Sequence, residues 1–184
     1  MLGRTHIAIA LAATAVIIND PSKMPLDLTI AAVSAILPDI DTQGSMLRHK
    51  LSKYAGILSL PILLVIGYLL FIHNYFSLFS LILYTTYLIF AFVGHHRGFT
   101  HSLLGFTLFA LILFMSDKAI ILPAIIGYAS HLIADLLTPS GIPIFYPYEK
   151  NFKIPIVKTG SLTDLLVGFT FGLTFITIVF KKFI

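Results

Sequence analysis

The sequence predicts an all-α polytopic membrane protein: a bundle of about five full transmembrane spans preceded by a short N-terminal helical hairpin, seven helices in all. Hydrophobic residues make up 58% of the 184 residues and charged residues only 11%, whereas about a quarter of the residues in a soluble domain are charged. The apolar residues also form continuous runs separated by short polar turns, which is typical of helices that cross a bilayer. We expect one integral membrane domain over residues 1–184.

The first two apolar runs, residues 6–18 and 26–37, are too short for full spans. A span needs about 20 apolar residues, and runs of about 10–14 are more often buried or re-entrant. Small residues in the first run, such as Ala8 and Ala12, suit close helix packing. We therefore predict a helical hairpin that is embedded in the protein.

Five further runs predict the remaining helices, after a polar and basic segment over residues 42–54. The predicted spans are residues 55–72, 76–93, 103–115, 119–137 and 161–180. Residues 138–160 are rich in proline, glycine and aromatic residues, which predicts an ordered interfacial loop.

The polar residues of these helices and turns are expected to share one side of the membrane. If the helices run up and down in order, one rim receives all of the following: His6, Asp39, Asp41, His95, His96, His101, His131 and Asp135. The same rim receives eight of the twelve lysines and arginines: Arg4, Arg48, Lys50, Lys53, Arg97, Lys150, Lys153 and Lys158. By the positive-inside tendency this rim faces the cytoplasm.

The polar stretch over residues 94–102 is the most unusual part of the chain, because it places His95, His96, Arg97 and His101 between two apolar runs. Neighbouring imidazoles repel one another when charged, and a divalent cation would keep them neutral by using their lone pairs. Thr100 is suited to cap a helix that begins at His101. A polar loop with incidental histidines is the alternative interpretation of this stretch.

Other His and Asp residues are candidate ligands with alternatives of their own. His131 and Asp135 are four apart on a predicted helix and so share one face, as two ligands of one ion or as a His–Asp hydrogen bond between helices. Asp39 and Asp41 follow a helix end, where they could turn inward towards a cation or act as solvated capping charges. A lone histidine such as His6 is more often a packing residue.

The number and chemistry of these candidates predict two or more divalent ions. Seven residues are too many for one tetrahedral ion: His6, Asp39, Asp41, His96, His101, His131 and Asp135. The chain has no cysteine, and carboxylate with imidazole suits zinc, manganese or iron. Such ions acidify water and stabilise a phosphoryl or acyl oxygen in the transition state. The net charge of +4 is modest, and no basic, aromatic-rich patch suggests a nucleic-acid partner.

Four blocks of sequence together resemble the YdjM-like family of membrane-bound metal-dependent hydrolases. They are His6, residues 37–41 (LPDID), residues 96–102 (HRGFTHS) and residues 127–135 (GYASHLIAD) continuing to residue 143. The resemblance runs in order from the first turn to about Pro147. It implies an inner-membrane protein with a hydrolase assignment and a divalent metal site on the seven residues named above. His95 lies outside the matching motif, and we expect it to orient a ligand.

These inferences lead to a metal-dependent hydrolase of a phosphoester, in a membrane lipid or lipid-linked small molecule, at the cytoplasmic membrane surface. The expected catalytic residues are Arg97, His96 and Asp135, with Arg97 and either Lys50 or Arg48 pairing with phosphate oxygens. An amidase or esterase would use the same metals.

Two non-catalytic interpretations remain. A metal-binding or transport protein predicts ionisable residues around mid-membrane with access to both faces. A scaffold whose ion only joins helix ends predicts a closed coordination shell. The many ligands and the nearby Arg97 favour catalysis.

Overall fold

The computed structural model describes residues 1–42, 45–94, 97–116 and 118–183. Within these residues the chain forms eight α-helices: α1 (Gly3–Ile17), α2 (Met24–Ser34), α3 (Met46–Ala55), α4 (Ser59–Ile72), α5 (Leu78–Val93), α6 (Leu103–Phe114), α7 (Ile121–Leu136) and α8 (Leu162–Phe183). Short 3₁₀ turns lie at Pro38–Asp41, Gly56–Leu58, Phe99–His101 and Lys118–Ile120. The predicted class, an all-α membrane helix bundle, is confirmed.

Seven of the helices are those that the apolar runs predict, and α3 is additional. The Ser45 hydroxyl caps α3 by accepting a hydrogen bond from the Arg48 amide at 3.1 Å. Serine caps α6 as well, because Ser102 accepts from the Gly105 amide at 3.1 Å. The prediction that Thr100 caps a helix beginning at His101 was therefore wrong: these residues form a 3₁₀ turn, and the helix begins at Leu103.

Two stretches are long and apolar enough to cross a membrane, Leu47–Ile72 and Leu162–Lys182. Four other apolar helices are shorter: α1, α5, α6 and α7, of 12 to 16 residues. At 1.5 Å per residue, a 16-residue helix measures about 24 Å, against about 30 Å for the hydrocarbon core. The count of about five full spans stays a prediction.

The chain divides into two compact units. Unit one comprises Met1–Leu37, Leu122–Ile142 and Asn151–Ile184, and unit two comprises Pro38–Ile121 and Pro143–Lys150. The prediction of a single domain over residues 1–184 stays a prediction. Each unit contains part of the loop over residues 138–160, and each contains some of the predicted His and Asp ligands.

Unit one is organised around α1, which packs against both α2 and α8. The predicted hairpin of α1 and α2 is present, and its turn is fixed by Ser22, whose amide and hydroxyl donate to the Asp20 carboxylate at 3.0 and 2.6 Å. These two bonds lower the pKa of Asp20. At the same end, the Lys182 ammonium of α8 donates to the carbonyls of Ala15 and Ile18 at 2.5 and 2.6 Å. Since helix C-termini leave carbonyls without intrahelical donors, α8 caps α1.

The part of the loop in unit one returns to α7 through backbone hydrogen bonds. Ile142 and Phe152 exchange a pair of bonds at 3.0 and 2.9 Å. The amides of Ile154 and Val157 donate to the carbonyls of Leu136 and Leu137 at 2.8 and 3.0 Å. The segment after α7 is thereby held against the end of that helix.

Unit two is a layer of α4, α5 and α6 with α3 and the turn Pro38–Asp41 at one end. Buried hydroxyls tie its helices together: Tyr84 donates to the Leu63 carbonyl and Ser80 to the Met115 carbonyl, both at 3.0 Å. The ring of Tyr87 on α5 meets Phe99 edge-on, with centroids 5.6 Å apart. This contact packs the turn that carries His101 against α5.

Candidate metal-binding site

In unit one, α7 places His131 and Asp135 one turn apart on a buried face, with the two side chains 0% and 2% exposed. Gly127 lets this face approach α2, because a Cβ there would lie 3.0 Å from the Ala31 carbonyl carbon. One turn further along both helices, His131 Nδ1 lies 2.7 Å from the Ala35 carbonyl oxygen. A carbonyl only accepts, so Nδ1 carries the hydrogen and the neutral ring has its lone pair on Nε2.

The His131 Nε2 lone pair faces a carboxylate, Asp135 Oδ2, at 3.8 Å. Two groups that only accept hydrogen bonds repel one another in a buried site unless a cation lies with them. Metal-binding histidines commonly have their other ring nitrogen donating to a carbonyl or carboxylate in this way. His131 therefore has the tautomer and surroundings of a metal ligand.

His6 on α1 joins this pair and is 1% exposed. Its ring stacks on His131, with centroids 3.9 Å apart and an interplanar angle of 18°. His6 Nε2 lies 3.3 Å from Asp135 Oδ1, yet neither ring nitrogen has a hydrogen-bond partner among the described residues. A buried imidazole without such a partner loses free energy, and a bound cation would remove that penalty. The terminal amino group of Met1 also contacts Asp135 Oδ1. We call His6, His131 and Asp135 the α7 group.

In unit two, the turns Pro38–Asp41 and Phe99–His101 bring together Asp39, Asp41, Thr100 and His101, which we call the turn group. The Thr100 hydroxyl donates to Asp41 Oδ2 at 2.7 Å. It must therefore accept from His101 Nδ1, 3.0 Å away. The lone pair of the fully buried His101 ring is then on Nε2, which faces Asp39 Oδ1 at 3.4 Å. Fixing Nδ1–H again directs an imidazole lone pair towards a carboxylate.

Two arginines lie near the turn group. Arg97 has a positive φ of 59°, and its amide donates to Asp41 Oδ2 at 3.1 Å. A non-glycine residue in this conformation costs about 1–3 kcal/mol and is most often found at functional sites. Arg48 donates to the Ile40 carbonyl at 3.3 Å and lies 3.7 Å over the Phe92 ring. These contacts hold the Arg48 side chain against unit two.

Unit one offers His131 and Asp135 as side chains that could each give a metal ion one ligand atom, and unit two offers Asp39 and His101. Of the predicted ligands, unit one brings together His6, His131 and Asp135, and unit two brings together Asp39, Asp41 and His101. His96, a predicted ligand and catalytic residue, lies outside the described residues, as does His95. That both groups serve one polynuclear centre on one rim stays a prediction, as do the catalytic roles of Arg97 and Asp135.

The donor atoms of both groups are carboxylate oxygens and imidazole nitrogens, the set that zinc, manganese and iron accept. With the histidines neutral and the aspartates ionised, the Met1 amino group balances the charge of Asp135 in the α7 group, whereas the turn group carries net negative charge. This charge favours a divalent cation over a neutral ligand. The residues present therefore fit the predicted metal.

The sequence analysis missed Asp164 in the first turn of α8, which is 0% exposed. Its Oδ2 accepts from the amides of Leu2 and Gly160 at 3.1 and 2.8 Å. Its Oδ1 is buried and has no hydrogen-bond partner among the described residues. Asp164 holds the first turn of α1, the turn that presents His6. From sequence it looked like an ordinary acidic residue at a helix N-terminus, and only the packing of α1 on α8 distinguishes it.

The comparisons with known proteins agree with this architecture. The family model for the YdjM inner membrane protein matches residues 1–182. The chain is similar to inner membrane protein YdjM of Escherichia coli (strain K12) and of Shigella flexneri, at 31% identity over 134 residues, 69% of this chain and 52% of each relative. A Bacillus subtilis (strain 168) protein, YvsG, is 43% identical over 79 residues, 39% of this chain and 47% of its own length.

The chain thus spans about half the length of the curated relatives it matches. No solved structure matches it. The family model covers nearly all 184 residues, and the chain belongs to the YdjM inner membrane protein family.

Proposed function

We propose that this protein is a membrane-embedded metal-dependent hydrolase that acts on a phosphoester of a lipid or lipid-linked substrate at the cytoplasmic membrane surface. The observation that carries the proposal is the repeated histidine geometry. In each unit a buried imidazole has Nδ1–H fixed by an oxygen acceptor and its Nε2 lone pair directed at a carboxylate. With each ring neutral, a cation between the Nε2 lone pair and the carboxylate would replace their repulsion by two attractive contacts.

The α7 group and the turn group would hold two or more divalent ions of zinc, manganese or iron. Such ions supply Lewis acidity and lower the pKa of a water molecule bound to them towards neutrality. Asp135, with contacts to His6 and near His131, is the residue around which the α7 group is built. Asp41 fixes the turn group, because it accepts from both Thr100 and the Arg97 amide.

Phosphoester hydrolysis is favoured over acyl hydrolysis by Arg97. Its backbone amide donates to Asp41 Oδ2, its φ is positive, and it precedes the turn Phe99–His101 by two residues. A guanidinium pairs with two phosphate oxygens at once and stabilises the negative charge that grows on them in the transition state. An amide or ester substrate offers one developing oxyanion and makes less use of such a group.

The experiment that tests the proposal is elemental analysis of the detergent-purified protein and of three single variants. His131→Ala removes a ligand of the α7 group, His101→Ala a ligand of the turn group, and His73→Ala an exposed histidine outside both. We expect bound zinc, manganese or iron in the wild type and His73→Ala, and less metal in the other two. The same samples are then assayed with phosphatidic acid and with a polyprenyl phosphate.

The results separate the proposal from its competitors. Metal that is bound equally well by all four proteins would overturn the assignment of both groups. Bound metal without hydrolysis of any phosphoester or acyl ester would favour a metal-stapled scaffold.

The orientation of the protein in the membrane is measured separately. Because the chain has no cysteine, a single introduced cysteine can be labelled without background. A single cysteine in place of Lys158 should be inaccessible to a membrane-impermeant maleimide added outside intact cells. A cysteine in place of Lys23, on the opposite predicted rim, should react. The reverse pattern would contradict a cytoplasmic site.

A further inference from the structure

Unit one contains an apolar cavity of about 420 Å³ between α1, α7 and α8. Of the described side chains that line it, Ser130 alone is polar, and its hydroxyl donates to the Gly127 carbonyl at 2.8 Å. The cavity therefore offers an occupant no hydrogen bond. Because a polar group buried there would lose its water without compensation, the cavity suits a hydrocarbon.

The closed end of the cavity lies beside the α7 group. Met1, Ala134 and Val157 line it and are 7%, 2% and 5% exposed. Ala134 immediately precedes Asp135, and the amino group of Met1 contacts the Asp135 carboxylate. A lipid whose hydrocarbon chain lay in the cavity and began at Met1 and Ala134 would place its head group, or the atoms next to it, close to the α7 group.

The other end of the cavity reaches the surface of unit one. Ile133 and Ile156 line it and are 60% and 66% exposed. Exposed isoleucines on a membrane helix and its adjoining loop face lipid rather than water. The cavity thus runs from an apolar surface to Met1 and Ala134, the neighbours of the buried Asp135.

Helix α7 supplies residues both to the cavity and to the α7 group. On α7, Ser130, Ile133 and Ala134 line the cavity at the spacing of one helical stripe, and Leu137 continues that stripe just past the end of the helix. His131 and Asp135 occupy the neighbouring stripe. Because the two stripes belong to one rigid helix, a chain held on the first has a fixed position relative to the ligands on the second.

The volume decides between a hydrocarbon chain and a transmembrane helix of a partner. A helix about 10 Å wide occupies roughly 420 Å³ in a single 5.4 Å turn. The cavity would therefore admit no more than one turn of a helix. Ligand pockets of about 300–1,000 Å³ are usual for small molecules.

We propose that this cavity binds one hydrocarbon chain of the lipid substrate and thereby sets the chain-length preference of the hydrolase. The substrate identity rests on the proposed function, whereas the occupancy of the cavity does not. Lipid tails are as apolar as the leucine side chains of a protein, so entering the cavity gains little hydrophobic free energy. The cavity therefore selects chains by shape, and its effect is on specificity more than on affinity.

The test fills the cavity and measures occupancy and selectivity separately. Ala13→Phe places a ring in the cavity, and Val16→Phe places the same ring on the exposed face of α1, where Val16 is 58% exposed. Occupancy is read by photo-crosslinking with a phosphatidic acid that carries a diazirine on one acyl chain close to its ester carbonyl, followed by mass spectrometry. Selectivity is read as the ratio of turnover on long-chain and short-chain phosphatidic acid.

We expect the wild type and Val16→Phe to be labelled at Ile9, Ala134 or Val167, and Ala13→Phe to lose that labelling while its lipid-facing residues still react. The long-chain to short-chain ratio should fall about tenfold in Ala13→Phe, because a pocket that loses room for a few methylenes discriminates by about that factor. Metal content should be unchanged. Should Ala13→Phe fail to fold, Val167→Phe fills the same cavity, with the exposed Leu166→Phe as its control.

Cavity residues that are never labelled, or that are labelled equally in Ala13→Phe, would overturn the proposal. Failure of the proposed function looks different, since no substrate would then be hydrolysed by any variant while crosslinking still reports the occupant. Labelled cavity residues together with an unchanged chain-length ratio would also overturn it, because the bound chain would then not be the substrate's.

Discussion

The α7 group and the turn group fix an imidazole with the same kind of hydrogen bond, but different parts of the chain supply the acceptor. In the α7 group, His131 Nδ1 is held by the Ala35 backbone carbonyl, and both residues are placed by helix packing. In the turn group, His101 Nδ1 is held by the Thr100 hydroxyl, which is itself oriented by Asp41. The first arrangement depends on two helix axes and the second on three side chains within two short turns.

This difference predicts which substitutions disturb the histidine tautomer in each group. A side-chain substitution cannot remove the Ala35 carbonyl, so the tautomer of His131 is lost only if α7 and α2 separate. A single hydroxyl controls the tautomer of His101. We therefore expect the α7 group to tolerate changes around it and the turn group to respond to small ones.

The largest effect is expected from Asp135→Ala. It removes the carboxylate that His6 and His131 both face, so metal retention and hydrolysis should be lost together. Elemental analysis and a phosphatase assay on the same sample measure this. Asp27→Ala, also on a buried aspartate of unit one, is the matched control and should retain metal. Full metal content in Asp135→Ala would show that Asp135 is not a ligand.

Substitution of Arg97 should separate chemistry from metal binding. Arg97→Gly keeps the amide that donates to Asp41 and removes the strain of the positive φ. We expect turnover to fall about 10²–10³-fold, as for loss of one stabilising donor, with metal retained and the thermal midpoint unchanged or raised. The exposed Arg4→Gly is the control for loss of one positive charge. An Arg97→Gly protein that stays fully active on every substrate found would refute the phosphate-binding role.

The comparison of the two groups predicts a smaller effect at Thr100. Thr100→Val keeps the shape and removes the hydroxyl that joins His101 to Asp41, so metal affinity should fall about 10–100-fold, the usual cost of losing a hydrogen bond behind a ligand. Thr100→Ser keeps the hydroxyl and should restore affinity. Metal titration measures both variants. Equal affinity in the valine and serine variants would show that the hydroxyl does not orient His101.

The smallest effect is expected at Lys182, far along unit one from the ligands in sequence. Lys182→Met removes the donor to the Ala15 and Ile18 carbonyls. Hydrogen bonds from charged groups contribute about 1.5–3 kcal/mol when buried, and this partly exposed lysine should contribute about 1 kcal/mol of stability. Lys181→Met, on the exposed side of α8, is the control. The expected result is a lower thermal midpoint with unchanged metal content. A loss of metal in Lys182→Met would show that the cap at the C-terminal end of α1 affects metal binding near its N-terminal end.

Sequence periodicity was enough to predict the helices and the pairing of His131 with Asp135, because a spacing of four places two side chains on one helix face. It could not reveal the stack of His6 on His131 or the acceptor at Ala35, since both arise from how α1, α2 and α7 pack. Gly127 was quoted only as part of a motif, yet its missing side chain allows the approach of α7 to α2.

Short polar segments were the least predictable. Helix α3 was not predicted, because its few apolar residues lie among basic ones and give no clear helical period. Its cap, Ser45, is one of several polar residues in the segment. Thr100 was expected to cap a helix, and its hydroxyl instead joins Asp41 and His101. The Ser45 hydroxyl bonds locally to the Arg48 amide, whereas only a tertiary contact joins Thr100 to Asp41.

The contacts of Asp164 with Leu2 and of Lys182 with Ala15 also order the events of biosynthesis. Both lie at the far end of the chain, 162 and 167 residues after their partners. While the ribosome is still making α8, the first turn of α1 has no Asp164 to hold it and the end of α1 has no cap. The turn group, by contrast, has all its described members once residue 101 has emerged. A nascent chain would thus assemble the turn group first and present His6 in its final position only after α8 has been made.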